Sequence, residues 1–135
     1  PADVLKWSDG MAVVATGSPF HEVDFNGKKI RISQSNNAFV FPGLGLGAVA
    51  VKAKHMTDNM IWAACEALTD CSPAKNDHSA PVLPDLDDIH KVSHHIALAV
   101  AKQAIKDGEA EDCDIEKAIA HCRWEPRYYP MTKTR

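Results

Sequence analysis

No apolar run in this 135-residue chain reaches the roughly 18 residues that a membrane-spanning helix needs. No positively charged start leads into an apolar stretch, so nothing reads as a signal peptide. An excess of positive charge is missing too. Lys and Arg number 15 against 18 Asp and Glu, a formal net charge of −3, so no basic field recruits nucleic acid. Cysteine is sparse and unpatterned: Cys65, Cys71, Cys113 and Cys122 show no Cys-x-x-Cys spacing. They read as reduced thiols, not a disulfide frame or a zinc site. Internal repeats and low-complexity tracts are absent. What is present is ordinary for a globular fold, with 45% apolar and 24% charged residues and enough length for one domain with a real core. The expectation is a soluble cytoplasmic domain that binds neither nucleic acid nor membrane.

The chain divides at about Pro42. Residues 1–42 read as strands and a loop, and residues 43–135 as helices and a tail. Met11 to Thr16 is an apolar run ending at Gly17, the pattern of a buried strand. Val23-Asp24-Phe25 and Lys28 to Ile32 flank Asn26-Gly27, which suits a type I′ hairpin because both central residues take positive φ. Ala38 to Phe41 fits a short strand or a loop. Leu44 to Lys54 reads as a helix. Thr57 is placed to cap a second one, with Ile61, Ala64, Cys65 and Leu68 on one face. Asp85 or Asp87 is placed to cap a third, where Ile89, Val92, Ile96, Val100 and Ala104 recur at helical steps until Gly108 ends it. Asp114 opens a short fourth helix through Cys122. Lys75 to Ala80 reads as a polar loop, and Met131 to Arg135 as a fraying tail.

The glycines invite a phosphate-binding reading. Gly43-x-Gly45-x-x-Ala48 fits the dinucleotide fingerprint letter for letter. Its context does not, because Thr57 opens another helix where the fingerprint requires a second strand. Gly45 and Gly47 are better read as small residues that let a helix pack closely. His90 and His94 are four apart on one helix but lack the Glu base and third ligand of a zinc site, so solvated or capping roles are expected. His21 and His121 read the same way. Trp7, Trp62 and Trp124 read as core and interface anchors.

Two segments carry the functional signal. Ala15-Thr16-Gly17-Ser18-Pro19-Phe20 follows an apolar strand, where α/β sheets bind ligands; a structural turn explains Gly17 and Ser18 equally well. It is not a nucleophile elbow, since no Gly-x-Ser-x-Gly occurs. Farther on, Gln34-Ser35-Asn36-Asn37-Ala38-Phe39-Val40-Phe41-Pro42-Gly43 sets two adjacent amides before Gly-rich backbone. A turn accounts for an Asn pair. A polar small molecule meeting main chain does so as well.

Together these segments resemble the malic enzyme family, whose members carry small-x-Gly-Ser-Pro-Phe and then Gln-x-Asn-Asn-x-x-x-Phe-Pro-Gly. The Ser18 to Asn36 spacing matches. The likeness continues through Thr57-Asp58, Leu83-Pro84, Ile89-His90-Lys91-Val92-Ser93, Ile96-Ala97 and Trp124-x-Pro126-x-Tyr128. It implies an α/β fold, the C-terminal portion of a Rossmann-type NAD-binding domain, with short strands and a hairpin followed by three or four helices. It implies oxidative decarboxylation of malate to pyruvate with NAD, NADP being the alternative, and with Mg or Mn. By resemblance, Asn37 and Asn36 bind substrate, and Asn36, Gly17 and Ser18 lie against the cofactor. The family's catalytic tyrosine and lysine, metal-binding acids and main dinucleotide turn lie upstream, so no catalytic or metal residue is expected here. Family members are several times longer, and this chain begins at Pro1 rather than Met, as a truncated or processed piece does. Its expected partners are malate, NAD, the rest of the same enzyme and a second copy in a homo-oligomer; alone it is expected to be inactive. Malolactic enzyme, which makes lactate, is the alternative within the resemblance. A non-catalytic helical interaction module is the alternative outside it.

Overall fold

The structure, a computed structural model, describes residues 1–77, 80–125 and 127–133. Pro126 of the Trp124 motif, residues 78 and 79 of the polar loop and residues 134 and 135 of the tail lie outside the described residues. In chain order the elements are α1 (Ala2–Trp7), β1 (Ala15–Thr16), β2 (Val23–Phe25), β3 (Lys28–Ile30), β4 (Ser33–Gln34), α2 (Phe41–Ala50), α3 (Asp58–Asp70), α4 (Ile89–Lys106) and α5 (Ile115–Cys122). Short 3-10 turns at Asn37–Phe39 and Leu86–Asp88 lead into α2 and α4.

The hairpin forms as the pattern requires. β2 and β3 pair antiparallel with Phe25 opposite Lys28. Asn26 and Gly27 take φ of 50° and 76°, the left-handed pair of a type I′ turn. The apolar run before Gly17 behaves differently. Only Ala15–Thr16 is a strand, and Met11 and Val13 are 84% and 71% exposed, so the expected buried strand is corrected. The cause is pairing: among the described residues, β1 meets only the two residues of β4. The short helix α1 carried no sequence signal. It buries Leu5, and the turn after it passes through Gly10, where a Cβ would approach the Phe25 ring within 2.7 Å.

The core is helical. α4 turns Val92, Ile96, Ala97, Val100, Ala101 and Ala104 inward at the three- and four-residue steps of a helix. Gly108, at φ 77°, ends it: its N–H donates to the Ile105 carbonyl and Glu109 N–H to that of Ala104, a Schellman closure. α2 begins at Phe41, earlier than its glycines suggest, with Pro42 in its first turn, where a missing N–H costs nothing. It lies against α4 through Gly43 and Gly47, four residues apart on one face. A Cβ at Gly43 would meet the Ser93 carbonyl oxygen at 2.6 Å, and one at Gly47 the Ala97 oxygen at 2.5 Å. Gly45 points the other way, with nothing within 4 Å, which corrects the packing role expected for it.

α3 buries Met60, Ala64 and Ala67, while Ile61 and Cys65 are exposed, so its inward face is turned from the expected one. Trp7, Trp62 and Trp124 are 80%, 66% and 74% exposed and are not core residues. Asp114 caps α5 as expected, accepting from Lys117 N–H at 3.1 Å.

Thr57 both caps α3 and ties it to α4. Its hydroxyl oxygen accepts from Met60 N–H at 3.1 Å, and its O–H donates to Asp107 at the end of α4. Asn59 and Gln103 also donate to Asp107, at 3.2 and 2.7 Å. The Thr57 hydrogen bond above all, with those of Gln103 and Asn59 and the Lys106 charge, holds the Asp107 carboxyl below the usual carboxylate range. Unfolded chain therefore binds this proton at higher pH than folded chain. The stabilisation is present above the ordinary Asp value of about 4 and is lost as pH falls through the lower folded value. Melting curves between pH 3 and 6 should fall steeply at the acid end and less steeply in Asp107→Asn. Thr57→Val, which removes the cap, should cost about 1–2 kcal/mol near neutral pH. An acid limb in Asp107→Asn equal to that of the parent would exclude this carboxylate as its source.

Candidate functional site

The site is built where two parallel strands end. β1 and β4 pair in parallel with Ala15 opposite Ser33 and Thr16 opposite Gln34. Ser35 N–H donates to the Thr16 carbonyl at 2.8 Å and carries the pairing one residue beyond the strands. Both chains then leave the sheet at the same edge. β1 runs into Gly17-Ser18-Pro19, and β4 into Asn36-Asn37. The carboxyl ends of parallel strands are where open α/β sheets bind ligands, because peptide N–H groups and following helix N-termini converge there.

Each loop is held from within. The Thr16 hydroxyl donates to the Ser18 carbonyl at 2.8 Å. Gln34 Nε2 donates to the Gly17 carbonyl at 3.4 Å and links the two loops directly. A Cβ at Gly17 would meet nothing within 4 Å, so its backbone is open to approach. After Asn36, the 3-10 turn drops Phe39 into the helical core at 1% exposure. Burying that ring contributes about 1.5–3 kcal/mol and anchors the loop from below. α2 starts two residues later.

The two amides are not equivalent. Asn36 takes an extended backbone, and its Oδ1 accepts from Ala38 N–H at 2.9 Å, capping the 3-10 turn. Its Nδ2 remains a donor. Asn37 is exposed, and its side-chain amide makes no hydrogen bond among the described residues. It keeps both a donor and an acceptor, enough to bind a carboxylate and a hydroxyl of one small molecule. Ser18 is exposed as well, its hydroxyl unpartnered among the described residues.

The structure thus brings Gly17, Ser18, Asn36 and Asn37 to one sheet edge. His94 and His95 are engaged elsewhere. His94 Nε2 lies 3.4 Å from Glu116 and His95 Nε2 lies 4.0 Å from Asp70. Among the described residues, no three His, Cys, Asp or Glu side chains gather to hold a metal ion. Gln34 has a linking role that sequence pattern does not reveal.

Known proteins of one family resemble this chain. The family model for the malic enzyme NAD-binding domain matches residues 1–105. An NAD-dependent malic enzyme of Aeromonas hydrophila is 46% identical over 99% of this chain and 24% of its own length. One from Sodalis glossinidius is 48% identical over the same shares. The crystal structure of Entamoeba histolytica malic enzyme superposes with a TM-score of 0.65 at 29% identity, covering 85% of this chain and 22% of that one. Short strands followed by helices, with the family match, define a fragment of a Rossmann-type α/β domain. The chain belongs to the malic enzyme family, within its NAD-binding domain. It spans about a quarter of the length of the curated relatives it matches, 24% in the two above.

Proposed function

We infer that this chain is the C-terminal part of an enzyme that oxidises malate at C2 and decarboxylates it to pyruvate, with NAD and a divalent metal. The observation that carries the reading is the unengaged Asn37 amide, exposed beside the Gly17-Ser18 loop at a parallel carboxyl edge. The donor set fits: open backbone at Gly17 allows a cofactor to approach, and neutral amides bind anionic and hydroxylic groups without adding charge. Bound at this edge, NAD would supply the acceptor for a hydride from malate C2. Asn37 donates Nδ2–H to a malate carboxylate oxygen and accepts the hydroxyl proton's hydrogen bond at Oδ1. Asn36 donates Nδ2–H to a nicotinamide ribose hydroxyl. Gly17 and Ser18 flank the cofactor with main chain. These groups orient the reactants, which lowers the entropic part of the barrier. The acid–base pair and the Mg or Mn ligands are assigned to the rest of the polypeptide.

Exposed apolar side chains support a covered surface. Met11 and Val13 lie by β1, and Phe41 and Val49 face outward on α2. We assign them to contact with the rest of the enzyme or with a second copy in a cytoplasmic homo-oligomer. The test is direct. The full-length protein, with malate, NAD and Mn²⁺, should form NADH and pyruvate, and this chain alone should form neither. Lactate without free NADH would assign the malolactic reaction, and preference for NADP would change the cofactor. Neither turnover nor NAD binding by the full-length protein would leave a non-catalytic module. Turnover by this chain alone would overturn the assignment of the acid–base groups.

A further inference from the structure

We propose that the Arg31–Asp85 ion pair positions the amide loop; this rests on the function proposed above. Arg31 follows β3 and immediately precedes the buried Ile32 and Ser33. Its guanidinium meets the Asp85 carboxylate fork to fork, with Nη1 donating to Oδ2 at 2.6 Å and Nη2 to Oδ1. Asp85 occupies the N-cap position of the Leu86–Asp88 turn, yet its side chain makes no capping bond there. An Asp at that position ordinarily bonds its own backbone. Here the carboxylate turns instead to a residue 54 positions away.

A second tie lies alongside. Leu83 N–H donates to the Ser33 hydroxyl at 3.2 Å. The segment before α4 is thereby fastened to the start of β4 at residues 31 and 33. Beyond the loop, Phe39 is fixed in the core, and Asn36 and Asn37 lie between these anchors. α2 follows the amides and packs on α4, which begins directly after the fastened segment. The contacts close a ring: β4, amide loop, α2, α4, residues 83–88, and back through Asp85 to Arg31. An open cleft of about 360 Å³ lies beside the pair, bordered by Pro19, Phe20, Glu22 and Gln34. The two side chains are 39% and 53% exposed, so the pair adds little stability. Its bidentate geometry fixes direction instead.

The experiment uses the full-length enzyme with Arg31→Ala, Asp85→Ala, Arg31→Lys and the exchanged pair Arg31→Asp with Asp85→Arg. Either alanine variant should lower kcat/KM for malate about tenfold with little change in melting temperature. Lysine should restore only part, since it cannot form the fork. The exchanged pair should exceed both alanine variants. Backbone hydrogen exchange supplies a readout independent of turnover. Ala38 N–H and Phe39 N–H should exchange faster in Arg31→Ala, while Val100 and Ala101 in α4 keep their rates. Unchanged exchange at Ala38 and Phe39 would overturn the proposal, and so would an equal rise throughout α4, the mark of general loosening. Unchanged kcat/KM in an active enzyme would overturn it as well. A wild-type enzyme that does not turn over malate defeats the proposed function, and hydrogen exchange then decides the role of the pair alone.

Discussion

Gly47→Ala is expected to destabilise the protein by about 2 kcal/mol or more, even though alanine is the better helix former by about 1 kcal/mol. Geometry decides the sign. The added Cβ would lie 2.5 Å from the Ala97 carbonyl oxygen, 2.9 Å from Val100 Cβ and 3.1 Å from Ala97 Cα. Two of these neighbours are backbone in the middle of an 18-residue helix, so no side chain can swing aside. α2 must move off α4 or the helices must bend, and overpacking of this kind costs about 1–3 kcal/mol, at times more. Gly45→Ala makes the opposite case two residues earlier. Its Cβ meets nothing within 4 Å, so only the helix preference acts, and stability should rise by about 0.5–1 kcal/mol. Thermal melts of the two variants should shift in opposite directions. Equal shifts would show that α2 and α4 are not in close contact along this face.

The contrast between Gly45 and Gly47 marks how far a sequence carries the fold. Signals contained within a few residues were legible: Asn26-Gly27 in the hairpin, Thr57 and Asp114 as caps, Gly108 as a stop, and the long apolar period of α4. Each depends on backbone geometry that its own side chain sets. Features decided by a distant partner were not legible. Met60 and Ile61 are both apolar and adjacent, and which one turns inward is set by where α4 lies. Asp85 reads as a cap and is drawn away by Arg31. The apolar stretch from Met11 reads as a buried strand, but a strand extends only as far as its partner, and β4 is two residues long. Trp7, Trp62 and Trp124 read as anchors, yet a large ring is buried only where a facing element covers it.

The edge site divides in the same way. Its residue types were visible in two motifs, Gly17-Ser18-Pro19 and Asn36-Asn37. Their meeting was not, because it depends on the parallel register that sets Ala15 against Ser33. Nor was the difference between the amides. Asn36 and Asn37 are identical letters in sequence. Only the 3-10 turn shows that one oxygen caps Ala38 N–H while the neighbouring amide makes no hydrogen bond among the described residues.

That difference sets the last expectation. Asn37→Ala in the full-length enzyme should lower kcat/KM for malate about tenfold to a hundredfold and leave the melting temperature nearly unchanged. The proposed contacts explain the size. A substrate carboxylate and hydroxyl that lose their amide partner in a partly dry site forfeit about 1–3 kcal/mol. The side chain is exposed and makes no internal hydrogen bond among the described residues, so folding loses little with it. Asn36→Ala should act differently on both counts. It removes the cap on Ala38 N–H, which costs about 0.5–2 kcal/mol of local stability. Through the lost Nδ2 donor it should raise KM for NAD more than KM for malate. Asn26→Asp serves as the control, because Asp-Gly holds a type I′ turn as well as Asn-Gly and lies in the hairpin, away from the edge. Steady-state kinetics and melting curves on the three variants separate the roles. Full activity in Asn37→Ala, or a loss that only tracks unfolding, would make the amide pair a structural turn. The parallel edge would then need another residue to hold the substrate, and Ser18, an exposed polar side chain with no hydrogen-bond partner among the described residues, would be the next to test.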